Sequence, residues 1–169
     1  MSDLAGDEKW MARAIALGAR SCGRTAPNPN VGCVIVREGG IIGKGTTAPG
    51  GRPHAEAVAL AQAGDTARGA TLYTSLEPCA HPSERGPTCS ALIAKQGIAR
   101  VVAAIEDPDP RTKGQGLAAL RKSGIDVTPG PLAAEAAVSM AGYLTRLALG
   151  RPRITLKLAL SIDGIPINM

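Results

Sequence analysis

Pro53-His54-Ala55-Glu56-Ala57-Val58-Ala59-Leu60-Ala61-Gln62-Ala63-Gly64 reads as a helix that opens beside a histidine and stops at a glycine. Ala is the best helix former, Pro is favoured in a first turn and Gly ends helices. Upstream, Val31 to Val36 is a compact run rich in β-branched residues, followed by Arg37-Glu38-Gly39-Gly40 and Ile41-Ile42. That pattern predicts a β-hairpin with a Gly-containing turn. The Gly/Pro/Thr stretch 43–53 is then expected to be the loop that delivers the chain to His54. Downstream the alternation continues, with a strand over 70–76, a helix over 89–96 ended by Gly97, and a strand over 100–105. A helix over 116–122 closed by Gly124, a short strand over 126–128 and one long helix over 132–149 follow. Trp10, Met11, Ala14, Ile15, Leu17 and Gly18 predict an amphipathic first helix over 7–21. Strands alternating with helices of these lengths predict an α/β fold, a three-layer α/β/α sandwich with a mixed central sheet.

Composition sets the frame around that pattern. The 169 residues, 44% of them hydrophobic, suffice for one domain with a proper core. No repeat and no low-complexity segment interrupts them. Four cysteines without a charged and apolar leader argue for a reducing compartment, so a cytoplasmic location is expected. No apolar run approaches the roughly 18 residues of a bilayer span, so no membrane segment is expected. The net charge of +5 raises a nucleic-acid reading, but one Trp, two Tyr and no Phe leave little on which to stack bases. The positive balance points instead to an anionic small-molecule substrate.

The chemistry concentrates in a few residues. His54, Cys79 and Cys89 have the types that hold a tetrahedral zinc through three ligands and leave a fourth position for water, whose pKa then falls to about 7. Cys89 follows Gly86-Pro87 at a helix start, where the helix dipole favours thiolate. Glu56, two residues from His54, is placed to move protons between that water and a substrate nitrogen. Cys22 and Cys33 read as small hydrophobes. Glu77, just before Pro78-Cys79, reads as a hydrogen-bonding group that orders the ligand loop. His81 is open between structural and substrate-contacting roles, and Asp107-Pro108-Asp109-Pro110 between a turn and a substrate wall.

Pro53-His54-Ala55-Glu56 with Glu77-Pro78-Cys79 resembles the cytidine deaminase superfamily, in which H-x-E and P-C motifs hold zinc and the Glu is the general acid/base. Nucleoside and tRNA deaminases of that superfamily typically carry P-C-x-x-C, whereas nine residues here separate Cys79 from Cys89. That long loop is similar to the deaminase half of the bifunctional riboflavin-biosynthesis deaminase–reductase family. So are the stretch Pro27-Asn28-Pro29-Asn30-Val31-Gly32-Cys33, Leu76-Glu77-Pro78-Cys79-Ala80-His81, and Glu106-Asp107-Pro108-Asp109-Pro110 ahead of Gly114-Gln115-Gly116.

The resemblance implies a cytidine deaminase-like fold and zinc on His54, Cys79 and Cys89, with Glu56 catalytic. It further implies substrate contacts from Asn28, His81, Asp107 and Asp109, with Arg85 near the position of a family Lys that meets phosphate. The implied reaction is hydrolytic deamination of a pyrimidine ribotide in riboflavin biosynthesis. The alternatives are zinc deamination of another base, guanine or a tRNA base, and an inactive truncated zinc-binding remnant. Three departures from the family pattern concern the substrate: Thr46-Thr47 where many members carry His, Asp109 where many carry Asn, and a cysteine loop one residue longer. Residues 1–150 are expected to form the deaminase domain. Residues 151–169, with Ile154-Thr155-Leu156-Lys157-Leu158, resemble the start of the family's reductase domain and are too few to supply NADPH chemistry. A homo-oligomer is compatible with this reading; a nucleic-acid or membrane partner is not expected.

Overall fold

The computed structural model describes residues 4–81, 86–163 and 165. Its elements are α1 (Leu4–Ala19), β1 (Gly32–Arg37), β2 (Gly40–Thr46), α2 (Ala55–Ala63), β3 (Thr71–Thr74), α3 (Cys89–Gln96), β4 (Arg100–Ala103), α4 (Gln115–Lys122), β5 (Asp126–Pro129), α5 (Ala133–Ser139) and α6 (Ala141–Leu149). The strands form one mixed sheet in the order β2-β1-β3-β4-β5. The β1/β2 hairpin and the β1/β3 pair are antiparallel, while β3, β4 and β5 run parallel. The expected α/β/α sandwich is what forms.

β1 is central because its residues Gly32 to Val36 are all buried, the signature of a strand covered on both faces. On one face α1 lies against β1 and β3, and α5 lies beside α1. On the other, α2 packs on β1 and β2, with α3 and α4 completing the layer. The core between them is mainly aliphatic, built from Met11, Val34, Ile35, Leu72, Ile93, Val101, Val102 and Leu120.

Three differences from the sequence expectation have physical causes. The glycine-rich stretch after Ile42 is not loop but strand, and β2 continues to Thr46. Gly45 belongs there because a Cβ would lie 2.2 Å from the Ala55 carbonyl oxygen, so its absence lets the first turn of α2 press onto the strand. The C-terminal helix is two helices, parted at Met140 with φ −107° and ψ 18°. Asn30 donates its side-chain amide to the Ser139 carbonyl at 3.1 Å, diverting an acceptor that an unbroken helix would use internally. α1 begins three residues before Asp7, which lies in its first turn with its carboxylate buried against Arg100.

Candidate metal centre and substrate cavity

Each parallel strand delivers the chain, just past its carboxyl end, to one side of the site, where α/β folds bind ligands. β3 leads into Leu76, Glu77 and Cys79, and β4 leads into Asp107 and Asp109. β2 leads through residues 47–53 to His54. His54 is the N-cap of α2, with Pro53 one residue before it, so Pro53 does not enter the helical turn as the sequence suggested. Glu56 then sits in the first turn of α2. Cys89 opens α3, whose N-cap Thr88 accepts a hydrogen bond from the Ala91 N–H at 3.2 Å.

The donor atoms of His54, Cys79 and Cys89 all lie within 4.8 Å of one another, and they are the one such group of three among the described residues. Nδ1 of His54 is 3.3 Å from the Cys89 sulfur and 3.5 Å from the Cys79 sulfur, so the imidazole faces the thiols through that nitrogen. The Cys89 backbone N–H, at the start of α3, donates to the Cys79 sulfur at 3.3 Å. The helix terminus therefore supports the sulfur of Cys79, ten residues away, as well as carrying Cys89. The two sulfurs titrate together: hydrogen bonding between them lowers Cys79 and raises Cys89, and burial adds to the latter. His54 is raised by its hydrogen bond to Cys79.

Two cysteine sulfurs and an imidazole, with no fourth ligand in the group among the described residues, fit zinc by ligand softness and number and would leave one position for water. Of the other sulfur and imidazole candidates, Cys33 is buried in β1, Cys22 is exposed and His81 bonds Thr112. Exposure of Cys22 corrects its reading as a packed hydrophobe; Cys33 fits that reading.

Glu56 is 3% exposed, and burial pushes its carboxyl up to about 7. Its Oε2 is 3.5 Å from the Cys89 sulfur, which puts the carboxyl beside the donors. A carboxyl poised near neutrality can both give and take a proton.

His54, Cys79 and Glu56 open onto a cavity of about 330 Å³ that also takes in Asn28, His81, Asp107 and Asp109. Asn28 donates from Nδ2 to the Gly51 carbonyl at 2.8 Å, and the same nitrogen is 3.1 Å from Nε2 of His54. Asp107 accepts from the Asp109 N–H at 3.0 Å and from the Tyr143 hydroxyl at 3.0 Å, and burial raises its pKa. Asp109 is gripped by Arg111 through Nε and Nη2 and is lowered to about 2 by that contact. Arg85 lies outside the described residues. Thr47, one of the two threonines expected to bear on substrate choice, also lines the cavity, buried and accepting from the Val31 N–H at 3.1 Å.

Glu77 is the brace of the whole arrangement. Oε2 accepts from the N–H groups of Asp107 and Gly114 at 3.1 and 2.9 Å, and Oε1 from those of Gly116 and Leu117 at 2.8 and 3.1 Å. Gly114, the N-cap of α4, has no side chain to offer, so Glu77 caps that helix from the metal loop. Gly116 permits the approach: a Cβ there would stand 1.9 Å from the Pro78 carbonyl oxygen.

Sequence reasoning missed the far wall of the cavity, formed by Tyr143, Arg146 and Leu147 of α6, and the cation Arg52. No motif marks them. The one available signal is scarcity, since Tyr143 is one of only two tyrosines.

Comparison with known proteins agrees with this geometry. The family model described as the cytidine and deoxycytidylate deaminase zinc-binding region matches residues 4–105. The riboflavin biosynthesis protein RibD of Escherichia coli is 51% identical over 94% of this chain, a match that takes up 43% of the relative. Among solved structures, an Acinetobacter baumannii RibD aligns with a TM-score of 0.87 at 45% identity, covering 96% of this chain and 46% of that one. A Thermotoga maritima diaminohydroxyphosphoribosylaminopyrimidine deaminase/5-amino-6-(5-phosphoribosylamino)uracil reductase aligns with a TM-score of 0.89 at 39% identity, covering 96% and 47%. The chain thus spans under half the length of these relatives, and what it matches is their deaminase part. It belongs to the zinc-binding cytidine and deoxycytidylate deaminase family.

Proposed function

We propose that this deaminase-family chain hydrolyses the 2-amino group from 2,5-diamino-6-(ribosylamino)pyrimidin-4-one 5′-phosphate. The products are 5-amino-6-(ribosylamino)uracil 5′-phosphate and ammonia, a step of riboflavin biosynthesis. The observation that carries the reading is the meeting of His54, Cys79 and Cys89 with the buried carboxyl of Glu56, three of these four groups, His54, Cys79 and Glu56, lining one cavity. The relatives that share this chain's sequence at 39–51% identity carry the riboflavin names. In this reading residues 1–150 are the deaminase domain and 151–169 begin a reductase-like domain. The outward-facing Ile154, Leu156, Leu158 and Leu160 of that second segment support the division.

Zinc held by His54, Cys79 and Cys89 supplies the Lewis acid that makes water nucleophilic at neutral pH. The remaining work falls to the chain. Glu56 takes a proton from the attacking water and delivers it to the ring nitrogen next to the carbon under attack, then takes the remaining hydroxyl proton and passes it to the amine as its C–N bond breaks. The hydroxyl oxygen of water stays on the ring as the new carbonyl, and the amine leaves as ammonia. Asn28, pinned between Gly51 and His54, and the Asp107–Asp109 turn hold the ring in register, with His81 fixed by Thr112 at 3.1 Å. The cavity is no larger than a single nucleotide-sized ligand requires.

The test is ammonia release by zinc-loaded protein given the diaminopyrimidine ribotide, guanine, cytidine or tRNA. The proposal expects turnover of the ribotide above all others. Preferential turnover of guanine or tRNA refutes the substrate, and inactivity towards all four at full zinc content refutes the enzymatic reading.

A further inference from the structure

The charged groups around the cavity divide into those already committed and those that are not. Glu77 is satisfied by four backbone N–H groups, Asp109 by Arg111, and Asp107 by an N–H and the Tyr143 hydroxyl. Glu56 lies against the metal donors. Three arginines also line the cavity: Arg52, Arg111 and Arg146. Arg111 is spent on Asp109, whereas Arg52 and Arg146 pair with no carboxylate among the described residues.

Arg146 donates from Nη2 to the Pro27 carbonyl at 3.0 Å and stands 5.7 Å from the centroid of the Tyr143 ring. Arg52 follows Gly51, whose carbonyl holds the Asn28 amide at 2.8 Å. The Arg146 side chain and the backbone next to Arg52 are thus tied to the Pro27-Asn28 segment, which itself meets His54. The metal donors Cys79 and Cys89 are buried at 8% and 2% exposure, while Arg146 is exposed and Arg52 half-buried. Arg146 therefore stands on the solvent-facing side of the cavity, and Arg52 lines it two residues before His54.

We infer that Arg146 and Arg52 form an anion clamp that takes the phosphate monoester at the far end of the substrate; this rests on the ribotide reading above. A phosphate monoester carries close to two negative charges and three acceptor oxygens, and two guanidiniums match it in charge and in planar donor geometry. Arg146 spends one of its five N–H donors on Pro27, which orients the rest without consuming them. The clamp assigns to these residues the role that the sequence suggested for Arg85.

The experiment compares the zinc-loaded chain with Arg146→Gln, Arg52→Gln and the double variant. For each, kcat/KM is measured on the ribotide and on its dephosphorylated ribonucleoside, and their ratio is the phosphate preference. The ratio is expected to fall about tenfold in each single variant and about a hundredfold in the double, as for charge-assisted contacts. Calorimetry with ribose 5-phosphate should show the same loss of binding. Zinc content, measured alongside, reports whether each variant keeps its fold. A double variant whose preference stays within threefold of wild type overturns the clamp, as does collapse of the preference in Arg85→Gln but not in the double variant. A wild type that deaminates neither compound refutes the ribotide reading instead. Ribose 5-phosphate then judges the clamp separately: binding lost in the double variant sustains it, and unchanged binding overturns it.

Discussion

Replacing Glu77 with Gln changes one atom type and should cost more stability than almost any other isosteric change in the chain. The carboxylate receives two N–H groups on each oxygen, from Asp107 and Gly114 on one and from Gly116 and Leu117 on the other. Gln keeps a single acceptor oxygen, so its NH2 must face two N–H donors whichever way the amide turns. Two charge-assisted hydrogen bonds are lost, each worth about 1.5–3 kcal/mol. The total is roughly 3–6 kcal/mol, set against a domain stability of about 5–15 kcal/mol. At about 2–4 °C per kcal/mol for a chain of this size, Tm should drop by roughly 6–24 °C. The measurement is thermal unfolding by circular dichroism with zinc content equalised, since metal binding would otherwise shift the transition by mass action. Because Glu77 also fixes the Asp107 backbone, KM for the ribotide should rise in the same variant. A Tm within 2 °C of wild type would show that the four contacts are not holding the metal loop to α4, and the bracing role assigned to Glu77 would fall.

Three further outcomes are expected. Cys79→Ser and Cys89→Ser should each lose most of the bound zinc, read by elemental analysis, because a serine hydroxyl is a poor substitute for thiolate; stoichiometric zinc in both would refute the ligand set. Glu56→Gln should keep its zinc while deamination falls at least a hundredfold, the scale of a lost general acid/base; near-normal turnover would remove Glu56 from the mechanism. Asp7→Asn should destabilise the fold by roughly 2–4 kcal/mol at pH 7, towards the low side of the buried-pair range because Arg100 is 20% exposed. Arg100 holds the Asp7 carboxyl below its usual value, so this contribution is full above the unfolded pKa of about 3.9 and fades as pH falls through the lower folded value. The stability gap between wild type and Asp7→Asn, measured by urea unfolding, should therefore narrow below about pH 4, and a gap that widened there would contradict the pairing.

The parts of this protein that could be read from sequence are those whose cause is local. The alternation of strands and helices follows from periodicity, and the order of the layers from its regularity. His54, Glu56, Cys79 and Cys89 announce themselves because metal chemistry needs particular atoms, and few side chains supply them. Glu77 could be assigned its bracing role because an acid before Pro-Cys is badly placed to touch substrate and well placed to collect N–H groups. What escaped were features whose cause lies elsewhere in the chain. The extension of β2 through Gly45 depends on α2 packing 2.2 Å from where a Cβ would be. The break at Met140 depends on an amide 109 residues away, that of Asn30. Neither glycine richness nor a continuous apolar stripe contains that information.

The same division separates the chemistry of the site from its selectivity. The floor of the cavity is drawn from short segments following β2 and β3, and the remaining metal donor from the start of α3, so these residues fall into recognisable motifs. The wall at α6 is reached only after the chain has crossed the sheet, turned at Met140 and brought Tyr143 back against Asp107. The groups around the metal donors are thus ones that sequence can find, while the cavity wall of Tyr143, Arg146 and Arg52 is one that sequence cannot single out. Asp109 shows the coupling between the two. As an acid where relatives with Asn place an amide, it would by itself repel an anionic substrate, yet Arg111 binds it through Nε and Nη2 and cancels that charge. The charge of Asp109 is therefore balanced within its own pair, and Arg52 and Arg146 remain as the cavity arginines with no carboxylate partner among the described residues. It follows that Arg111→Gln should weaken ribotide binding by exposing Asp109, and that adding Asp109→Asn to that variant should restore it. A ribotide KM that stays high in the double variant would show that Arg111 meets the substrate itself rather than masking its neighbour.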